Sequence, residues 1–425
     1  PEQAGVLALV IAFIALALLG VPLFIVLGAG SLYACWATGL DNATLIIELH
    51  RLASSPNLSA IPLFTFAGVV LAAGGAPRRL IRLFSALFGW LPGGLAMVAL
   101  TACAFFTAFS GASGVTILAL GGLLYPMLTR VGYPQPFSLG LLTSSGSLGL
   151  LFPPSLPILL YAIVAGINVD QLFMAGMLPG VLLLLILLLY SLRKGFHLVE
   201  PRPAFSWRRL AEALRVGIWD LLLPLMIVVG IFGGYITVSE AATITAAYVL
   251  LLESVIHHAL NLKHQLLPLV RDTSILVGGI LIILGTAMGL TNLLIDAQVP
   301  MKMLALLEAN IHSQFTFLLL LNLFLLLVGA MMDIFSATVV VVPLILPLAQ
   351  RYGIDPVHLG IIFLANLEIG YLTPPVGINL FLAMQQFGKS IFEVFRATLP
   401  FLLVMLVWLA IVTYVPWLSL WWRPG

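Results

Sequence analysis

The stretch LTSSGSLGLLFPPSLP, residues 142–157, lies in a segment with no charged residue from Val131 to Val169. That length and polarity belong to a membrane-spanning helix, which needs about 20 apolar residues. Yet the stretch carries hydroxyls at Thr143, Ser144, Ser145 and Ser147, glycines at Gly146 and Gly149, and prolines at Pro153, Pro154 and Pro157. Proline lacks an N–H and clashes with the preceding turn, freeing carbonyls upstream. Glycine permits the irregular dihedrals that follow. Freed carbonyls are costly in lipid, so they are tolerable where they line a cavity or hold a cation. The spacing predicts unwound backbone over Gly149–Pro154.

Composition agrees with a membrane setting. Of 425 residues, 62% are hydrophobic and 8% charged, against about 25% charged in soluble domains. This excludes one water-soluble core and predicts an all-α polytopic protein of the lipid bilayer. The net charge of +2 is too small to suggest nucleic-acid binding. Cys35 and Cys103 sit in separate apolar runs and read as small buried residues. The chain opens on Pro1, read as a processed start, and residues 6–36 are too long for a signal-peptide core and lack a basic leader. Soluble-enzyme motifs are scarce. Gly388-Lys389-Ser390 lacks the upstream glycine of a phosphate loop, since Ala383 stands there, and no HExxH occurs. His257, His258, Lys263 and His264 read as a polar loop.

Apolar runs cover roughly 5–37, 59–75, 83–129, 137–169, 171–192, 216–237, 240–256, 273–294, 314–350, 357–386 and 394–419. Positive charge gathers at Arg78, Arg79 and Arg82, and again from Arg193 to Arg215 in the one long polar linker. Both clusters are expected on the cytoplasmic side. The run 83–129 is too long for one span and is interrupted by FSGASG at 109–114. It fits a re-entrant helical hairpin with that segment at its tip, or two tilted spans. AMMDIFS breaks the run 314–350 in the same way.

The chain also matches itself. Pro126–Ala162 lies over Pro347–Ala383 without a gap, with identity at Pro126, Arg130, Gly132, Gly149, Leu151, Pro153, Pro154, Leu159 and Ala162. GLLFPP (149–154) therefore corresponds to GYLTPP (370–375), and a second break is expected over Gly370–Pro375. Just upstream, Ser110 and Ser113 correspond to Asp333 and Ser336. Internal repeats with Gly/Pro-broken spans point to a secondary transporter. Carbonyls, hydroxyls and carboxylates suit a hard cation. Half-helix N-termini attract an anionic solute.

Asp333 and Glu368 are the sharpest single residues. A charge at the bilayer centre costs about 2.5–3.5 kcal/mol on insertion scales. Asp333 marks either a loop in water or a hairpin tip. Glu368 faces a pathway or pairs with a neighbour. Asn366 and Asn379 flank the same break and either satisfy backbone or bind a solute.

Seven segments now carry a resemblance. They are IPLFTFAG (61–68), LPGGLAMVALTACAFFTAFSGASG (91–114), SSGSLGLLFPPSLPILLY (144–161), GIFGGYITVSEAA (230–242), YGIDPVHLGII (352–362), NLEIGYLTPPVGINLF (366–381) and EVFRATLPF (393–401). Together, in order and over essentially the whole chain, they resemble the large membrane subunit (M subunit) of tripartite ATP-independent periplasmic (TRAP) transporters. One departure is visible. The family's GGxxTPTEA reads GGYITVSEA here, with Val238 and Ser239 replacing Pro and Thr, which bears on how the helix starts near Glu240.

The resemblance implies an elevator-type fold. Residues 1–90 would be scaffold and arm helices. Residues 91–169 would form the first transport repeat (hairpin 91–130, broken helix 137–169). Residues 170–298 would be scaffold helices with a cytoplasmic linker at 193–215. Residues 299–388 would be an arm helix and the second repeat (hairpin 314–350, broken helix 357–386). Residues 389–425 would be a C-terminal scaffold helix.

It also implies a Na+-coupled importer of the bacterial inner membrane. Such a subunit works with a small membrane subunit (Q) and a periplasmic substrate-binding protein (P), and moves a small organic anion, a carboxylate or sulfonate. By the same resemblance one Na+ site would use Ser110, Ser113, Gly149, Phe152 and Pro154. A second would use Asp333, Ser336, Gly370, Thr373 and Pro375. Ser144, Ser145, Ser147, Asn366 and Asn379 are candidates toward the solute. The competing readings are a stand-alone exchanger or channel, and a membrane subunit of a respiratory enzyme. The last would need haem or quinone ligands, and no His pair at helical spacing lies within a span.

Overall fold

A computed structural model describes residues 21–38, 53–195, 204–296 and 311–423, with a few isolated positions besides. Parts of the first run, of the linker and of the expected arm helix, at 1–20, 196–203 and 299–310, lie outside the described residues. Among the described residues every regular element is a helix. Within the described residues, seven helices are long and apolar enough to cross a bilayer, or up to nine crossings if each of two bent pairs is one span. Away from their ends, helices satisfy their backbone N–H and C=O groups internally, which a hydrocarbon setting demands.

Three boundaries differ from the sequence reading. Residues 207–215, read as linker, are the first turns of the helix Trp207–Phe232. Ser206 caps it by accepting from the Arg209 N–H at 3.4 Å. Lys263 and His264, read as loop, open the helix Leu262–Asp296, so the polar loop shrinks to 257–261. In both cases the charged turns extend an apolar helix, so hydropathy alone places its end too far inside. The third boundary is the altered GGYITVSEA segment, where the helix starts cleanly at Val238. Thr237 Oγ1 accepts from the Glu240 N–H at 3.3 Å, and Glu240 accepts from the Thr237 N–H at 2.7 Å. This reciprocal capping box does without the family's proline.

Two helix–turn–helix pairs and two broken helices frame the interior. The first pair runs Gly94–Ser110 and then Ser113–Arg130, the latter with a π-turn at Ile117–Gly121. The second runs Gln314–Met331 and Ile334–Arg351. At 1.5 Å per residue such arms are roughly 25 Å long, a little under the hydrocarbon thickness. After the first pair come the helix Gln135–Ser145, a 3-10 turn Leu148–Leu151 and the helix Leu156–Ala165, the chain bending there by 45°. After the second come Pro356–Gly370, an irregular stretch at 371–377 and Ile378–Phe387. The helix is thus interrupted at both expected places. The Pro153–Pro154 and Pro374–Pro375 peptide bonds are both cis.

Arg79 belongs to more than a positive cluster. Its guanidinium grips Asp220 through two bonds of 2.7 Å and also donates to Glu253. Glu253 further accepts from the Gly75 N–H at 3.0 Å. The side chains of Asp220 and Glu253 are 2% and 0% exposed. One cation therefore ties Ala76–Phe88 to Trp207–Phe232 and to the end of the following span. Removing one partner of such a buried group typically costs about 3–5 kcal/mol.

Candidate functional site

The first turn closes on Gly111, whose φ of +63° ends the helix Gly94–Ser110 in the left-handed region. A Cβ there would also sit 2.7 Å from the Leu156 side chain, just past the first break. Gly68, from the IPLFTFAG segment, meets the same turn, since a Cβ on it would lie 2.7 Å from the Phe109 carbonyl oxygen. Ser113 Oγ donates to Asn379 Oδ1 at 2.7 Å. The first turn thereby touches both broken helices. Among the described residues Ser110 Oγ has long contacts, 3.4 Å to the Ala112 carbonyl and 3.5 Å to Thr116 Oγ1.

The first pair packs on the break that follows it. Thr107 Oγ1 donates to the Gly146 carbonyl at 2.8 Å. A Cβ on Gly149 would stand 2.2 Å from the Ala104 carbonyl oxygen, so only glycine allows this approach. Phe152 borders an apolar cavity of about 280 Å³ that also touches Ala104, Ala108 and Pro224.

The second pair does the same by other contacts. The Ala330 carbonyl accepts from Val376 N–H at 3.1 Å and Gly377 N–H at 3.2 Å. Tyr371 Oη accepts from the Ile334 N–H at 2.7 Å. A Cβ on Gly370 would lie 2.4 Å from the Gly329 carbonyl carbon. Asp333 sits at this turn as the N-cap of Ile334–Arg351. Its Oδ1 accepts from Phe335 N–H and Ser336 N–H, both at 3.0 Å, and its Oδ2 accepts from Ser336 Oγ at 2.5 Å. The carboxylate thus has a local structural use, which the sequence reading did not foresee.

The breaks leave carbonyl oxygens without donors. Among the described residues no donor reaches the carbonyls of Phe152, Pro153 and Pro154, nor those of Thr373, Pro374 and Pro375. The Gly149 and Gly370 carbonyls are used locally, accepting from Phe152 N–H at 3.0 Å and Thr373 N–H at 2.9 Å. Free carbonyls, a carboxylate and hydroxyls form a donor set of the hard-oxygen kind that suits an alkali cation.

The serines proposed toward the solute are turned inward. Ser144 donates to the Gly140 carbonyl at 2.8 Å, Ser145 to Leu142 at 3.2 Å and Ser147 to Ser144 at 3.4 Å, and all three are fully buried. Hydroxyls in helices often spend themselves on their own backbone in this way. Asn366 Nδ2 donates to Asn322 Oδ1 at 2.6 Å and to the Ile362 carbonyl at 2.8 Å. Its Oδ1 and the Asn379 Nδ2 have no hydrogen-bond partner among the described residues. Neither carboxylate oxygen of the fully buried Glu368 has one either by geometry, though the Ser147 hydroxyl lies close enough to interact with it. A buried unpaired polar group is the exception that asks for a ligand or a functional use. Sequence reasoning missed Asn322, Thr413 and Tyr371. Asn322 and Thr413 join Asn366 in one network, with Thr413 Oγ1 3.3 Å from Asn322 Oδ1. These partners lie 44 and 91 residues from one another's places in the chain, beyond any local pattern.

Over residues 10–418 the chain matches the family described as the tripartite ATP-independent periplasmic transporter, DctM component. It is 34% identical to the C4-dicarboxylate TRAP transporter large permease protein DctM of Vibrio cholerae serotype O1, covering 98% of this chain and 97% of that one. It is also 34% identical to the isethionate TRAP transporter permease protein DctMQ of Oleidesulfovibrio alaskensis, over 93% of this chain and 63% of that one. Among solved structures, the YdaH transporter of Alcanivorax borkumensis superposes with a TM-score of 0.59 over 89% of this chain and 88% of its own, at 17% identity, a likeness of fold alone.

Proposed function

The chain belongs to the TRAP transporter large-component family, whose members are permeases rather than enzymes, and from that premise we propose that it is a Na+-coupled importer subunit for a small organic anion. The relatives' named solutes, a C4-dicarboxylate and isethionate, are small organic acids, one carboxylic and one sulfonic. The subunit works in the bacterial inner membrane with a small membrane subunit and a periplasmic binding protein that delivers the solute. One relative, named DctMQ, is longer than this chain, as a chain that also carries the small subunit would be.

The observation that carries the reading is the pair of breaks with unclaimed carbonyls, each packed against a helical turn that bears hydroxyls or a carboxylate. On this reading the halves are repeats and each holds a Na+. One site is built from Ser110, Ser113 and the carbonyls of Gly149, Phe152 and Pro154. The other is built from Asp333, Ser336, Thr373 and the carbonyls of Gly370 and Pro375. The solute sits between the two turns, where Asn379 already joins Ser113 and keeps its amide NH2 unspent. Binding all three moves the transport repeats as one body against the scaffold.

The test is uptake by proteoliposomes that contain the complex and its binding protein. Uptake is expected to require an inward Na+ gradient and to collapse in Asp333→Asn. Asparagine keeps the cap oxygen while removing the charge. Uptake indifferent to Na+ would refute the proposal.

A further inference from the structure

A pocket of about 280 Å³ opens between three helix ends, those of Gln135–Ser145, Val169–Gly195 and Ile391–Tyr414. Its wall is aromatic and continuous. Tyr133 stacks on Phe137 with centroids 5.5 Å apart, Phe137 meets Phe401 at 5.6 Å, and Tyr190 meets Phe401 edge-on at 5.2 Å. Two exposed cations, Lys194 and Arg396, also line it. Neither forms an ion pair among the described residues. Glu393, one turn before Arg396, is engaged as a cap, accepting from Ser390 N–H at 2.9 Å and Ser390 Oγ at 3.0 Å.

The pocket lies at a membrane edge. A Cβ on Gly195 would stand 2.4 Å from Gly93 Cα and 2.9 Å from Tyr133 Oη, so the helix end and the turn 89–93 share one level. On that turn Trp90 packs on Phe205 at 5.5 Å, and Phe205 on Trp207 at 4.9 Å. Trp90 and Trp207 are 42% and 76% exposed. Exposed tryptophans beside Arg and Lys are the signature of a bilayer–water interface on the positive side.

We propose that this pocket binds the headgroup of an anionic phospholipid. The phosphate lies between Lys194 and Arg396, and the glycerol and first methylenes lie along the aromatic wall. Basic pockets between spanning helices attract such headgroups, each cation contributing about 1 kcal/mol. A soluble anion would use the two charges and leave the aromatic wall without a role. The occupant joins three helix ends, one of them the first half of the broken helix that carries LTSSGSLGLLFPP. The inference does not depend on Na+ coupling.

The test uses the full chain with its small subunit, delipidated in detergent. Affinity for phosphatidylglycerol and phosphatidylcholine is read by native mass spectrometry and by the shift in melting temperature. Phosphatidylglycerol is expected to bind and stabilise, and phosphatidylcholine is not. Lys194→Gln with Arg396→Gln is expected to weaken phosphatidylglycerol about thirtyfold, and either change alone about fivefold. The single changes decide the matter should the pair fail to fold. Arg208→Gln with Arg209→Gln, at exposed arginines of the same edge, is expected to leave binding unchanged. Equal binding of phosphatidylcholine, undiminished binding by the Lys194 and Arg396 variants, or an equal loss in the Arg208 and Arg209 variant overturns the site. Glycerol phosphate binding as tightly as the whole lipid would make the occupant a soluble anion and overturn it too.

Discussion

The two breaks share the frame Gly-x-Leu-x-Pro-Pro, yet they live in different surroundings. At the first, Pro153, Pro154 and Ser155 are buried. Four glycines bring neighbours down onto it. Added Cβ atoms would lie 2.2 Å from Ala104 O at Gly149, 2.6 Å from Ile117 at Gly146, 2.2 Å from Leu151 O at Gly176 and 3.0 Å from the Phe152 ring at Gly180. At the second, Pro374, Pro375 and Val376 are uncovered by the rest of the chain, and the close backbone approaches are those of Gly370 against Gly329 and of Gly377 against the Thr373 carbonyl within the break itself. The motif breaks the helix. Its accessibility is decided elsewhere, by small residues on the helices that pass it. Within the chain, the first break is covered and the second is not.

The largest consequence is a difference in access. In chains carrying Ser155→Cys or Val376→Cys, a membrane-impermeant thiol reagent should label the second at least about a hundredfold faster, the factor a local opening cost of ~3 kcal/mol imposes. The native Cys35 and Cys103 are buried and give little background. Equal rates would erase the distinction between the breaks. Next comes packing. Gly149→Ala forces a backbone to move, at a cost of ~1–3 kcal/mol or more. It should lower the melting temperature in detergent, whereas Val376→Ala, at a position 39% exposed, should hardly change it. At the second turn, Asp333→Ala removes the helix cap and should cost ~0.5–2 kcal/mol, while Asp333→Asn should restore most of that stability without restoring Na+ dependence. The smallest expected effect is Ser113→Ala. It removes the hydroxyl bond to Asn379 and should cost ~0.5–1.5 kcal/mol, seen as a modest melting shift. Because that bond joins the first turn to the second broken helix, a larger loss of uptake than of stability would mark Asn379 as part of the solute site.

Much of this was legible in the letters. Prolines and glycines break helices for local reasons, so the places of both breaks and of both turns could be read from spacing. The serines could not. Whether Ser144 offers its hydroxyl to a solute or to the Gly140 carbonyl depends on a rotamer, and the latter holds here at 2.8 Å. Asp333 was legible as a special residue but not as a cap, because hydropathy sees its charge and not the two N–H groups it accepts from. Arg79 was visible only as positive charge. Its partners Asp220 and Glu253 lie 141 and 174 residues away, and only the packed helices bring them together.

The central claim is that the breaks hold Na+. It is tested most directly by equilibrium binding of radioactive sodium to the purified chain, wild type against Asp333→Asn. Saturable binding that weakens sharply in the variant, with the melting temperature retained, is the predicted result. An isotherm unchanged by Asp333→Asn, or no saturable binding in the wild type, would contradict it.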